Sequence, residues 1–197
     1  DLIGGTPLLS ALFNDEPAIE SLSLMGLDIA AVGNHEFDKG AAELLRMQRG
    51  GCHPTLGCKG PAPFTGAKFM YLAASTIVQA TGQPFLPAYT IRRFEGVPVA
   101  FIGLTLQGTP AIVTPAGVAG LEFRDEAQTV NFLVPQCQHK PFTLAFNMAH
   151  LGTGAQVSVT RIELLLQIVV QYYARNREGI GALSCIGFAQ VKPGSVS

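Results

Sequence analysis

Six consecutive residues, Gly33-Asn34-His35-Glu36-Phe37-Asp38, carry the densest chemistry in the chain. They follow Asp28 to Val32, a short and mostly apolar run of the kind expected of a buried strand. In an α/β sheet, the carboxyl end of such a strand is where ligands bind. An asparagine there offers a neutral carbonyl oxygen to a cation. The histidine beside it can protonate, or hydrogen-bond to, an oxygen that gains charge during a reaction. A polar turn with a surface histidine is the plainer reading of the same residues.

Two further segments offer partners. In Asp1-Leu2-Ile3-Gly4-Gly5-Thr6-Pro7 a carboxylate precedes a glycine turn. Its two oxygens can reach separate cations, and the glycines let the backbone pass close to a site. An ordinary turn is the alternative. His150 follows an apolar run and precedes Leu151-Gly152, again at the end of an expected strand. An imidazole suits zinc or manganese-type ions, and a lone histidine near a turn is the alternative. His53 and His139 lie in polar stretches without evident partners and read as structural or solvent-exposed.

The four cysteines are Cys52, Cys58, Cys137 and Cys185. Cys52 and Cys58 bracket a short loop. A disulfide closing that loop would suit an exported protein, and a pair of free thiols is the alternative. A zinc site there lacks the second ligand pair it would need. Cys137 and Cys185 read as structural rather than nucleophilic.

The elements that must position these groups can be read from periodicity. Pro7 to Phe13 suggests a short helix. Asn14 or Asp15 can cap the next one, with Pro17 in its first turn and Ile19, Leu22 and Met25 on one face. Gly26 suits the left-handed residue that ends it. Gly40 to Arg49 reads as a helix with Ala41, Leu44 and Leu45 inward, and Tyr71 to Ala74 as a strand. Tyr89 to Phe94 and Val97 to Leu104 read as a hairpin about Glu95-Gly96. Asp125 to Val134 suggests a helix, Phe142 to Met148 a strand, and Thr160 to Ala174 a helix. Helices alternating with strands argue an α/β layered domain. No linker stands out, and the tail from Lys192 reads as disordered.

Composition narrows the partners. The net charge of −1 gives no field to draw a polyanion, whereas a duplex-binding protein carries a basic excess. A small anionic substrate would need a local site, and bound cations are one way to build it. The apolar run from Ile162 to Ala174 is broken by Glu163, Gln167 and Gln171 and is too short to span a bilayer. The chain therefore reads as soluble. It opens on Asp1, so it reads as processed or as a fragment.

At these residues the sequence resembles the bacterial 5′-nucleotidase family of the calcineurin-like metallophosphoesterases. The likeness extends to Met25-Gly26-Leu27-Asp28 and Phe37-Asp38-Lys39-Gly40 around the central motif. It includes Tyr71-Leu72-Ala73-Ala74, the segment from Gly96 to Thr105, and Leu121-Glu122-Phe123-Arg124-Asp125. It runs from Asp1 to about Pro135. The resemblance implies a layered β-sandwich flanked by helices, with two divalent ions, zinc, manganese or similar, at its edge. It implies Asp1 as the bridging carboxylate, Asn34 as a ligand of one ion and His150 as a further ligand. His35 would stabilise the transferring phosphoryl group or its leaving oxygen.

The sequence also departs from the family pattern. The Asp-x-His motif expected upstream and the later Gly-His-x-His motif are both absent, and residues 136–191 look divergent. The expectation is a partial metallophosphoesterase domain over residues 1–191 with a tail at 192–197. The nucleotide-specificity domain of the long family members is missing as well. The implied activity is metal-assisted hydrolysis of nucleotide phosphomonoesters in a periplasmic or secreted protein. A cyclic-nucleotide phosphodiesterase, a nucleotide-sugar hydrolase or a thiosulfohydrolase are close alternatives, and a non-catalytic remnant of the fold is another.

Overall fold

A computed structural model describes residues 1–94, 97–137 and 143–148, with side chains described over 1–94 and 98–133. His139, His150, Cys185, the expected helix from Thr160 to Ala174 and the tail from Lys192 lie outside the described residues.

After the Gly4-Gly5 turn come helices α1 (Leu8–Ala11) and α2 (Glu16–Leu24). Pro17 sits in the first turn of α2, where its missing N–H costs nothing. Gly26, at φ 82°, ends it. Ile19 is fully buried and Leu22 packs on the core. Met25, expected on the same face, is 73% exposed because the helix has already ended at Leu24.

Strand β1 (Ile29–Ala31), helix α3 (Ala41–Arg49) and strand β2 (Met70–Leu72) form a βαβ unit, with β1 and β2 parallel and Ala30 opposite Tyr71. Leu44 and Met47 of α3 are fully buried. Gln48 on the same helix reaches the backbone of β2. Its amide donates to Phe69 O (2.9 Å) and accepts from Tyr71 N–H (2.8 Å). Polar backbone groups are thus satisfied inside a mostly apolar layer. Arg46 is also buried. It donates two bonds to Glu43 and one each to Glu16 and Gly51 O, tying α3 to the start of α2.

Three short strands escape the periodicity reading: β3 (Thr76–Val78), β4 (Gln83–Pro84) and β7 (Leu121–Phe123), which pair antiparallel in the order β4-β3-β7. Between them lie β5 (Tyr89–Phe94) and β6 (Val97–Leu104), the expected hairpin, paired antiparallel from Tyr89–Ile102 to Phe94–Val97. Helix α4 (Glu126–Cys137) then leads to β8 (Thr143–Met148), which runs parallel to β6. The stretch from Leu106 to Gly120, expected to be turn-rich, holds two short 3-10 turns.

One apolar cluster joins α2, the βαβ unit and β7, among them Ile3, Ile19, Val32, Phe37, Tyr71 and Phe123. Phe37 is its anchor for the site. It is fully buried and meets Phe123 edge-on, with ring centroids 5.1 Å apart. Burying such a ring stabilises the fold by about 1.5–3 kcal/mol.

Candidate active site

The residues after β1 form a single 3-10 turn, His35–Phe37. With Phe37 held in the core, the turn leaves the His35 side chain 44% exposed. Its Nδ1 lies 2.7 Å from Asp38 Oδ2. When Nδ1 carries its proton toward Asp38, the other ring nitrogen, Nε2, is left to meet a ligand.

The end of β1 is itself pinned. Thr105, just past β6 and fully buried, donates its hydroxyl to Val32 O (2.9 Å). Its N–H donates to the Ser75 hydroxyl (2.8 Å), and that hydroxyl donates back to Thr105 O (2.9 Å). Ends of three segments meet here through these hydrogen bonds.

Asp1 lies directly against this loop. The backbone N–H of His35 donates to Asp1 Oδ1 at 3.3 Å. Gly33 faces the same carboxylate so closely that a Cβ would run into it. Gly4, at φ +86°, passes beside His35 and Asp38 with no room for a side chain. Asn34 is only 8% exposed. Asp1 thus meets the backbone of the Asn34–His35 loop, where one side of a donor wall was expected. His150 lies outside the described residues.

Two buried carboxylates bind the Asp1 segment to the loop. Glu36 accepts N–H groups from Gly33 (2.7 Å) and Leu2 (2.6 Å), and the backbone nitrogen of Asp1 lies 3.2 Å away. Asp15 accepts the Thr6 hydroxyl, Lys39 Nζ (2.9 Å) and the Gly4 N–H (3.4 Å). Burial pushes the Asp15 carboxyl up. The hydrogen bonds from Thr6 and Lys39, the Lys39 charge and the Gly4 N–H outweigh it and leave the carboxyl below its ordinary range. Asp15 was expected as a possible helix cap. It occupies that position before α2 but makes no capping bond, because its oxygens are taken by these partners. Burial, and then the charges of Glu36 and Asp15, hold the Tyr71 phenol well above its usual value.

Cys52 and Cys58 are joined in a disulfide, with Cα atoms 4.4 Å apart. His53, expected to lack partners, orders this loop, since its Nδ1 accepts N–H groups from Thr55 and Leu56, each at 3.2 Å.

The donors present suit a divalent cation in kind. The Asp1 carboxylate and the Asn34 carbonyl are both hard oxygens. In number the pair falls short of a complete site, for no group of three His, Cys, Asp or Glu side chains gathers among the described residues. Asp38, Glu36 and Thr105 had no assigned role in the sequence reading, and Asp15 only that of a helix cap. Only Asp38 left a signal there, three positions from His35, a spacing at which side chains meet on one helical face.

No family model matches the chain. Curated relatives do. Endonuclease YhcR of Bacillus subtilis is 43% identical over 152 residues, covering 77% of this chain and 12% of that protein. The 5′-nucleotidase of Vibrio vulnificus is 29% identical over 154 residues, again 77% of this chain, and 25% of that one. The chain thus spans a quarter or less of these two relatives. Among solved structures, the calcineurin-like phosphoesterase YfkN of Bacillus subtilis superposes with a TM-score of 0.56 at 18% identity, over 83% of this chain and 50% of that one. That likeness shows a shared fold, the calcineurin-like phosphoesterase layering of strands and helices. Over about three quarters of its length, the chain is thus similar to 5′-nucleotidases, and it shares the calcineurin-like phosphoesterase fold.

Proposed function

We propose that this chain is the catalytic part of a metal-dependent phosphoesterase that hydrolyses nucleotide phosphomonoesters to a nucleoside and inorganic phosphate. The observation that carries this is the contact between two separate segments. Asp1 accepts the backbone N–H of His35, beside Asn34, at the carboxyl end of β1. Asp1 and Asn34 would hold cation, with His150 as a further ligand. Bound divalent ions would neutralise the phosphate and lower the pKa of a water nucleophile. Asp38 orients the His35 ring through Nδ1, and in the imidazolium form Nε2 carries a second proton that it would give to the oxygen gaining charge as the ester bond breaks. The disulfide between Cys52 and Cys58 supports a periplasmic or secreted location.

A second reading follows from the relative named an endonuclease. The net charge of −1 favours the small substrate over a nucleic-acid polymer. Hydrolysis with Mn²⁺ separates the readings, read as phosphate from AMP, as nucleotide from a 2′,3′-cyclic nucleotide, as UMP from a UDP-sugar and as shortened strands from single- and double-stranded DNA. Turnover of AMP that His35→Ala removes while bound manganese stays the same supports the proposal. Cleavage of DNA alone overturns it in favour of the nuclease. No turnover of any substrate and no bound metal makes the chain a remnant of the fold.

A further inference from the structure

Glu36 sits inside the site turn, yet the chemistry above gives it nothing to do. Its side chain is wholly shielded from solvent. A carboxylate removed from water is costly unless its lone pairs are met. Here backbone groups meet them, from Gly33 at 2.7 Å, Leu2 at 2.6 Å and the nitrogen of Asp1 at 3.2 Å. Bonds to a charged acceptor are roughly twice as strong as neutral ones. These donors come from two segments, residues 1–2 and residue 33. The one carboxylate therefore closes the gap across which Asp1 must meet Asn34 and His35.

We propose that Glu36 is a positioning residue, holding the Asp1 carboxylate against the Asn34–His35 loop so that the donor wall is formed before any cation arrives. This rests on the phosphoesterase reading, because only that reading gives the wall a purpose. A residue serving as mere core filler would tolerate glutamine, which has nearly the same volume. The clasp would not, because an amide turns a donor toward backbone donors.

The test uses the full chain, as Glu36→Gln, with Met47→Ala as a control for general loss of core packing. Amide hydrogen exchange is read at Leu2, Gly33 and Tyr71, and the rise in Tm on adding Mn²⁺ is read in parallel. In Glu36→Gln, exchange at Leu2 and Gly33 accelerates about tenfold or more relative to Tyr71. The Mn²⁺-induced rise in Tm shrinks as well. Met47→Ala lowers Tm without that selective change. Exchange at Leu2 and Gly33 that stays as in the unaltered chain, or rises only in step with Tyr71, overturns the proposal. If the unaltered chain shows no Mn²⁺-induced rise, the cation reading fails, and the exchange pattern alone decides the clasp.

Discussion

Asp38 Oδ2 lies 2.7 Å from His35 Nδ1, one short turn further along the chain. The pair is partly exposed, at 44% for the histidine side chain and 32% for the aspartate. Ion pairs this exposed contribute only about 0–1 kcal/mol to folding, so its value must lie elsewhere. Asp38→Asn is therefore expected to leave Tm within a degree or two of the starting protein. It should also lower kcat for AMP by about a hundredfold, within the range for a positioned proton donor. Steady-state kinetics beside a thermal melt check this. A kcat left unchanged would show that His35 needs no partner.

Gly33 meets Asp1 where no side chain fits. Its requirement is space, since it is absent from the residues with positive φ. Gly33→Ala must push the Asp1 carboxylate away or bend the end of β1, and overpacking of this kind costs about 1–3 kcal/mol. We expect bound manganese to fall along with Tm. Calorimetric titration with Mn²⁺ reads the first and a melt the second. Full metal affinity in this variant would remove Asp1 from the ligand set.

Much of the layout was legible in the sequence, and the failures have physical reasons. The hairpin of β5 and β6 declares itself through two strand-like segments, Tyr89 to Phe94 and the apolar Val97 to Leu104, flanking Glu95-Gly96. Strands β3, β4 and β7 have two or three residues each, too few for any alternation to register. Met25 looked inward because its spacing from Ile19 and Leu22 is helical, and the pattern does not reveal that the helix stops one residue earlier. The site reads unevenly for a related reason. Asn34 and His35 announce their chemistry through residue type and a place after a strand. Glu36 and Asp15 act on residues up to 34 positions away, and single-sequence patterns carry no information about such contacts.

Asp15 gives the fold a pH dependence with a definite sign. Its folded carboxyl titrates below the ordinary value of 3.8. Such a group adds stability that is fully present above its unfolded pKa and is lost as pH falls through that value toward the folded one. Urea unfolding between pH 7 and pH 3 should show a fall in stability that is shallower in Asp15→Asn. At pH 7 the substitution should cost about 1–3 kcal/mol, the range for disturbing buried bonds to a charged group. Equal slopes in the two proteins would mean that the Thr6 and Lys39 bonds do not distinguish the ionised form.

Asn14 precedes Asp15, and the two are the only described non-glycine residues with positive φ, at 58° and 65°. Asn14 is 7% exposed, and its side-chain Nδ2 is buried without a hydrogen-bond partner. Glycine at this position would relieve left-handed strain, which costs most residues about 1–2 kcal/mol and asparagine less. It would also remove an unmet buried donor, worth about 1–3 kcal/mol. Against these stands the extra freedom of glycine in the unfolded chain, about 0.4–1 kcal/mol, and a small loss of packing. The favourable effects are larger, so Asn14→Gly should stabilise the protein by about 1 kcal/mol and raise its Tm by a few degrees. A melt of the two proteins side by side decides it. A lower Tm for the glycine variant would mean that the Asn14 side chain has a partner, such as a bridging water, that offsets its burial.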